Sequence, residues 1–356
     1  MPEWRWTPPS AWRPSQREPV IRTAILDEHP AMRTRSFARR RVATAALLGV
    51  LAISLVLAVP ALRPVVREIR EMNAVWITAA IALELASCLS FVVIFRLFFE
   101  RVAAPDARAL AWTSMASGVL LPGGGVGGLA IGGWLMRLAG TPTAVIVRRS
   151  SGLFFLTSAV NGAAIMGAGL LLVAGAAGPH DFRRAALPLL VAGAITAAIA
   201  AAPWIAQRRG AAAPWLDGVV AGIRDARRAA RHPSWRLGGA LGYLAFDIAV
   251  LWATFSAVGH PPPVPALTLA YAIGYVANAL PVPGGAGVLD AGLVGALVLY
   301  GAPPLQAAAA VLVYHAIALW VPALGGLFAY ARLRPRLARA AVADAPARAI
   351  AEPALS

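Results

Sequence analysis

Long apolar stretches dominate this sequence and constrain its fold more than any other feature. Residues 42–62 contain no Asp, Glu, Lys or Arg. Because a charged side chain is costly at the centre of a bilayer, an uncharged stretch of about 20 residues is typical of a membrane-spanning helix. Five more long apolar stretches complete a prediction of six spans: 74–95, 150–179, 185–206, 237–258 and 305–331.

The overall composition agrees with a membrane protein. Hydrophobic residues make up 59% of the chain and charged residues 13%, which is about half the charged share of a soluble domain. The net charge of +16 would suit a nucleic-acid-binding protein. However, all 32 basic residues are arginines that lie mainly between apolar stretches, where the positive-inside rule uses them. We therefore predict no binding to nucleic acid.

The two ends of the chain differ from its apolar middle. Residues 1–41 are rich in Arg, Pro and Trp and lack the apolar core of a signal peptide. We predict a disordered, basic cytoplasmic arm there and a cytoplasmic tail over residues 333–356. Cys88 is the single cysteine, so an intramolecular disulfide and a multi-cysteine metal site are excluded. We predict no metal site, no cofactor and no catalytic residue.

Two further apolar stretches, residues 109–138 and 264–300, are interrupted by Pro and Gly. We interpret them as re-entrant hairpins, which return to the side of the membrane from which they entered. With the N-terminus inside, this leaves only five of the 32 arginines outside, as the positive-inside rule favours. The sequence thus predicts an all-α polytopic protein of the bacterial cytoplasmic membrane. It has six full spans, two re-entrant helical hairpins and both termini in the cytoplasm.

The two interrupted stretches share a motif. The first reads Leu-Pro-Gly-Gly-Gly-Val-Gly at 121–127, and the second reads Val-Pro-Gly-Gly-Ala-Gly at 282–287. In both, a Gly and then a Pro follow at the same spacing. Three full spans separate the motifs, and an odd number of spans inverts the second copy. We therefore predict a transmembrane domain over 42–332 whose halves, about 74–206 and 237–331, form an inverted repeat of the kind found in transporters.

The motif has a chemical consequence inside a membrane. Pro ends a helix and Gly allows a positive φ, so the backbone reverses in a tight space. The freed backbone groups must face protein or a polar cavity, and the half-helices that follow point partial positive charge into that cavity, which suits a lipid phosphate. A structural kink is the alternative interpretation. The motif residues predicted to line a substrate pathway are Pro122, Gly123, Gly124, Gly125, Pro283, Gly284, Gly285 and Gly287.

Four ionisable residues lie within or beside the apolar segments: Glu84, Asp247, Asp290 and His315. Such residues are costly in lipid and are functional candidates by default, so we assign all four to the pathway, with Asp290 as the leading acid. Each also has a structural interpretation. Glu84 would be a protonated acid bonded to a neighbour, Asp247 would pair with Tyr243 one helical turn earlier, and His315 would be a satisfied core histidine.

Arginines mark two further candidate lipid contacts. Arg148 and Arg149, at the inner end of the third span, are candidates to bind a lipid phosphate, although we favour the interpretation that they only set the topology. Residues 207–236 carry four arginines at helical spacing. That spacing is typical of an interfacial amphipathic helix, and an ordinary positive-inside loop is the alternative.

These residues carry a family resemblance. Residues 281–290, Pro-Val-Pro-Gly-Gly-Ala-Gly-Val-Leu-Asp, resemble the flippase-like transmembrane domain of lysylphosphatidylglycerol synthases and of related uncharacterised integral membrane proteins. The first motif is similar to the first repeat of that family, and the resemblance covers about 42–332. Asp290 stands where the family usually has Glu, and His315 where it often has Arg. The resemblance therefore implies an Asp–His pair in place of a Glu–Arg pair.

The repeat and the resemblance together predict a function. No stretch corresponds to the aminoacyl-transferase domain of the synthases, so we expect a flippase or transporter of an anionic or polyprenyl-linked lipid and not an enzyme. Membrane lipids are the expected partners, and a homodimer is one option for the oligomeric state. One alternative is a non-transporting partner or regulator of envelope lipid or glycan synthesis. A remote one is an intramembrane hydrolase, suggested superficially by Ser117 and His315.

Overall fold

The computed structural model describes most of the chain from residue 62 onwards. The arm, nearly all of the first predicted span, most of 185–206, residues 121–123 of the first Pro-Gly motif and the whole second motif lie outside the described residues, so the predictions made for them stay predictions. The described residues are 62–100, 102–120, 124–138, 141–175, 214–277 and 288–351, with five single residues between 190 and 201.

Every secondary-structure element in these described ranges is a helix, as predicted. A single 3₁₀ turn, Trp235–Leu237, leads into α7. The ten α-helices are α1 (Leu62–Arg70), α2 (Ala74–Phe98), α3 (Ala104–Leu120), α4 (Gly124–Leu138), α5 (Thr143–Val173), α6 (Pro214–Arg231), α7 (Gly238–Val258), α8 (Val264–Ala277), α9 (Val288–Leu299) and α10 (Pro304–Ala351).

Four helical segments in the described part are long and apolar enough to cross a membrane. They are α2, α5, the segment Trp235–Val258 that contains α7, and Pro304–Leu333 at the start of α10. These correspond to four of the six predicted spans. The chain is therefore a multi-pass helical membrane protein.

One predicted boundary needs correction. The third span was expected to begin at residue 150, but α5 begins at Thr143, so Arg148 and Arg149 lie within its second turn and not in the preceding loop. Hydropathy places the boundary too late because long arginine side chains near a helix end reach back to the interface. In addition, α10 continues without interruption to Ala351, so most of the predicted tail extends the last helix.

The first interrupted stretch forms two helices that pack antiparallel, α3 and α4. A Cβ atom added to Gly128 would lie only 2.9 Å from the backbone nitrogen of Gly118. One turn further along α4, Gly132 faces Ser114, which lies one turn earlier in α3. Small residues are needed here because the two backbones approach too closely for larger side chains. The stretch therefore folds as a helical hairpin.

The second interrupted stretch, α8 and α9, also packs as a pair. A Cβ atom added to Gly274 in α8 would lie 2.9 Å from the Cα atom of Leu293 in α9. The two contacting residues flank the second motif, just as Ser114 and Gly132 flank the first. Both interrupted stretches are thus pairs of short helices that lie on either side of a Pro-Gly motif in the sequence.

The spans ahead of the two hairpins, α2 and α7, run antiparallel and pack along their whole length. The Asn73 amide donates to the Ala257 carbonyl at 3.1 Å at one end of the pair. Further along α2, the Ser87 hydroxyl donates to the Tyr243 carbonyl at 3.0 Å. Later residues of α2 therefore meet earlier residues of α7. Near the start of α7, Gly239 lets the two backbones come close.

Each hairpin also packs against the span that follows the hairpin of the other half. Helix α3 of the first half contacts α10 of the second, and α8 of the second half contacts α5 of the first. The amphipathic helix α6, which carries the four arginines at helical spacing, packs against α5. In each half, the first helix of the hairpin thus contacts a long helix of the other half.

Candidate functional site

Two acids meet where α2 and α7 cross. Glu84 lies near the middle of α2, Asp247 lies near the middle of α7, and both are buried, with 6% and 8% of their surfaces exposed. Their carboxyl groups lie within electrostatic range of each other. The antiparallel packing brings them together because both acids lie at the midpoints of their helices.

Asp247 is held by two tyrosines from other helices. The Tyr271 hydroxyl of α8 donates to its Oδ2 atom, and the Tyr314 hydroxyl of α10 donates to Oδ1 at 2.9 Å. The pairing expected from sequence was with Tyr243, one turn earlier in the same helix. The backbone carbonyl of Tyr243 accepts a hydrogen bond from Ser87.

Glu84 has a less complete set of partners. The Cys88 thiol, one turn later in α2, lies 3.6 Å from its Oε1 atom. Its other oxygen, Oε2, is buried and has no hydrogen-bond partner among the described residues. A buried polar atom without a partner is uncommon in folded proteins and calls for an explanation. We call Glu84, Cys88, Asp247, Tyr271 and Tyr314 the acid cluster.

The second acidic site lies beside the acid cluster. His315 Nδ1 and Asp290 Oδ1 are 2.7 Å apart and partly buried, so the Asp–His contact expected from the family resemblance is present. Asp290 sits in the first turn of α9, directly after the second motif. His315 follows Tyr314 in α10, and successive helical residues point about 100° apart. Two adjacent residues of α10, Tyr314 and His315, therefore contact two different acids, Asp247 and Asp290.

The structure accounts for the predicted pathway residues in three ways. It brings together Glu84 and Asp247, and separately Asp290 and His315. Gly124 and Gly125 open helix α4, as expected for a half-helix that starts at the motif. The remaining motif residues lie outside the described ranges: Pro122, Gly123, Pro283, Gly284, Gly285 and Gly287.

The two candidate headgroup arginines have protein partners. Arg148 forms two hydrogen bonds with Asp225 of α6, at 2.6 Å from Nε and 2.8 Å from Nη2. Arg149 donates from Nη1 to the Phe98 carbonyl at the end of α2, at 2.8 Å. None of these contacts involves the acid cluster. The structure thus shows how both arginines join helices, and their binding of lipid phosphate stays a prediction.

Sequence reasoning did not identify Tyr271 and Tyr314 as partners of Asp247. Tyr314 lies 67 residues from that acid and Tyr271 lies 24 away, so no helical spacing connects them. The only available signal was chemical: a tyrosine in a membrane helix carries a hydroxyl that needs a polar partner. Asp247 was one of few such partners in the neighbouring segments.

Comparison with known proteins gives one result. The family model described as the lysylphosphatidylglycerol synthase TM region matches residues 42–326. That range contains both hairpins, the acid cluster and the Asp290–His315 pair. A search of curated proteins finds no match to the chain.

Proposed function

The chain belongs to the lysylphosphatidylglycerol synthase TM region family, and on that premise we propose that it translocates a lipid across the cytoplasmic membrane. The lipid would carry an anionic or polyprenyl-linked headgroup. The proposal assigns six full spans, two re-entrant hairpins and cytoplasmic termini. It assigns no catalytic chemistry to the chain, and its partners are the membrane lipids themselves.

One observation carries the proposal: the acids of the two halves meet at the midpoint of the antiparallel pair α2 and α7. If two halves are inverted copies, an axis in the membrane plane relates them, and equivalent elements near that axis must contact each other in opposite directions. Helices α2 and α7 are the equivalent spans ahead of the two hairpins. Their antiparallel contact is what an inverted repeat requires.

The exchange of contacts between halves supports the same arrangement. Helix α3 packs on α10, and α8 packs on α5, so each hairpin rests on the other half. Movement of one half against the other would then shift both hairpins together. Such rocking exposes a central site to one side of the membrane and then to the other.

The acid cluster places polar groups between the two halves that would move. Ionisable groups within spans are rare because they are costly in lipid, and they commonly mark substrate or proton pathways. Glu84 adds a buried oxygen atom, Oε2, without a partner among the described residues. We propose that this oxygen becomes satisfied during the transport cycle by a proton, a water molecule or a headgroup donor.

A vesicle assay tests translocation directly. The purified chain is reconstituted in vesicles with a fluorescent phosphatidylglycerol analogue, and an impermeant quencher reports the analogue in the outer leaflet. We expect Glu84→Gln and Asp247→Asn to slow exchange at least about tenfold, the factor that corresponds to 1.4 kcal/mol. Glu100→Gln is the matched control, since Glu100 forms an exposed ion pair with Arg236. If exchange with the native chain equals that of protein-free vesicles, the proposal is wrong.

Site-directed labelling tests the re-entrant hairpins. Cys88 is the only native cysteine, so a Cys88→Ala background accepts single new cysteines. Ala103 and Ala144 flank the first hairpin, and His260 and Pro303 flank the second, all exposed. An impermeant maleimide should label the first two positions from the inside and the last two from the outside. Labelling of Ala103→Cys and Ala144→Cys from opposite sides would show that this stretch crosses the membrane once and is not re-entrant.

The partner or regulator alternative makes a different prediction. In that case the basic arm would carry the function. Deletion of residues 1–34 would then remove the cellular phenotype while leaving vesicle translocation unchanged. Under the transport proposal, phenotype and translocation instead fall together when Glu84 or Asp247 is replaced.

A further inference from the structure

A groove opens between α5, α7 and α8, with a volume of about 490 Å³. Ligand sites commonly have volumes of about 300–1,000 Å³. Along α5 the lining extends from Val160 to Leu171, a length of about 16 Å at 1.5 Å per residue. The described residues that line the groove are Val160, Ala163, Ala164, Gly167, Ala168, Leu171, Leu241, Leu244, Ala245, Ile248, Val264, Pro265 and Thr268.

The chemistry of this lining selects an apolar ligand. Among the described lining residues only Thr268 has a polar side chain, and its hydroxyl already donates to the Val264 carbonyl at 2.8 Å. Between Val160 and Leu171, the α5 wall consists of three alanines and Gly167, which leave space where larger side chains would fill it. The groove is thus long, narrow and apolar, and it lies on two helices that are long enough to span the membrane.

The corresponding seam in the other half is closed. If the two halves are inverted copies, α10 is the equivalent of α5, and α3 is the equivalent of α8. At that seam Gly325 and Gly326 of α10 pack directly on Trp112 and Ala116 of α3. A Cβ atom on Gly326 would lie 2.7 Å from the Trp112 carbonyl oxygen. The interface of α10 with α3 is therefore closed by glycine contacts, whereas the equivalent interface of α5 with α8 contains the groove.

The open groove lies next to the acid cluster. Leu244 and Ile248 line the groove and flank Asp247 in α7. On α8, Thr268 lines the groove and Tyr271, which donates to Asp247, follows in the next turn. A ligand in the groove would contact α7 and α8, the two helices that carry Asp247 and its donor Tyr271.

The geometry points to an acyl-chain site: the groove between α5, α7 and α8 holds one acyl chain of a membrane lipid. This inference rests on the proposed function and names how the lipid is held beside the polar pathway. Lipid tails are as apolar as the groove, so entry of a chain gains little from the hydrophobic effect. The groove therefore positions the lipid by packing, and its closed counterpart would open in the opposite state of the cycle.

Photolabelling tests the site without any need for transport. Vesicles of phosphatidylcholine and phosphatidylglycerol contain a phosphatidylglycerol with a diazirine on one acyl chain, and labelled residues are mapped by mass spectrometry. We expect labels on the α5 and α7 walls of the groove. Gly167→Leu should reduce them about tenfold, since overpacking costs roughly 1–3 kcal/mol. Among the described residues, no atom lies within 4 Å of a Cβ atom added at Gly167, so this position has room for a larger side chain.

Ala159→Leu is the matched control, because Ala159 is exposed on the same helix and does not line the groove. Equal labelling of the native chain and the Gly167→Leu variant would overturn the inference. A photoreactive amino acid at Leu171 gives a second readout. A lipid adduct supports the site, whereas a covalent link to a second copy or to another segment of the chain shows a protein occupant and overturns it.

The experiment separates the two proposals. Groove labelling in vesicles that show no lipid exchange would refute transport and leave the acyl-chain site standing. Exchange that persists while labels fall outside the groove would refute the site alone.

Discussion

Replacing Tyr314 by Phe would remove one oxygen atom from the acid cluster and leave the packing of the ring in place. Tyr314 is 1% exposed, and its hydroxyl donates to Asp247 at 2.9 Å. Water cannot readily replace that donor because Asp247 is itself buried. Interhelical hydrogen bonds in membrane proteins contribute about 0.6 kcal/mol on average and up to about 1.7 kcal/mol. Since the acceptor is a buried carboxyl group, we expect a loss near the upper value, about 1.5 kcal/mol.

The double variant with Tyr271→Phe sharpens this prediction. Each single variant leaves Asp247 one of its two tyrosine donors, whereas the double variant removes both. The second removal should therefore cost more than the first, with a coupling of about 1 kcal/mol beyond the sum of the single effects. Such non-additivity is the signature of two donors that share one acceptor.

Unfolding in mixed micelles with increasing sodium dodecyl sulfate, followed by far-ultraviolet circular dichroism, measures these free energies. Tyr330→Phe is the control, because Tyr330 is exposed on the same helix and should leave the unfolding midpoint unchanged. The reasoning fails if Tyr314→Phe behaves like Tyr330→Phe. It fails equally if the effects of the two cluster tyrosines simply add.

Three further predictions concern other parts of the fold. Gly326→Leu should lower the free energy of unfolding by about 3 kcal/mol or more, because no side chain fits against Trp112, and the midpoint of the same titration checks this. The ion pair of Arg148 and Asp225 is partly exposed, with side chains 48% and 17% exposed; a double-mutant cycle should therefore give a coupling no greater than about 1 kcal/mol. Asp290→Asn should abolish lipid exchange in vesicles with unchanged helix content, and retained exchange would remove Asp290 from the pathway.

Much of the architecture could be read from local composition. Desolvation of charge acts on each segment separately, so the four spans in the described residues were recognisable as uninterrupted apolar stretches. The hairpins were recognisable because Pro and Gly interrupt a helix wherever they occur. The Asp290–His315 contact was expected from the family resemblance, which implies an Asp–His pair in place of a Glu–Arg pair.

The partners of the buried acids were not readable in this way. Helices α2 and α7 are apolar on all sides, so helical periodicity did not show which face of each points inward. The meeting of Glu84 with Asp247 and the two tyrosine donors depend on how helices distant in sequence are packed. The sealed and open seams likewise depend on whether glycines or larger residues meet across α3 and α10.

The sequence by itself thus determined that this protein crosses the membrane repeatedly and that Pro-Gly motifs interrupt two of its apolar stretches. Both conclusions follow from the free energy of placing single segments in lipid, which is a property of those segments alone. Only the tertiary structure decided which acids face each other, which hydroxyls hold them and which seam is open. Those features arise from contacts between helices, and within a uniformly apolar span the free energy of insertion is the same whichever face turns inward.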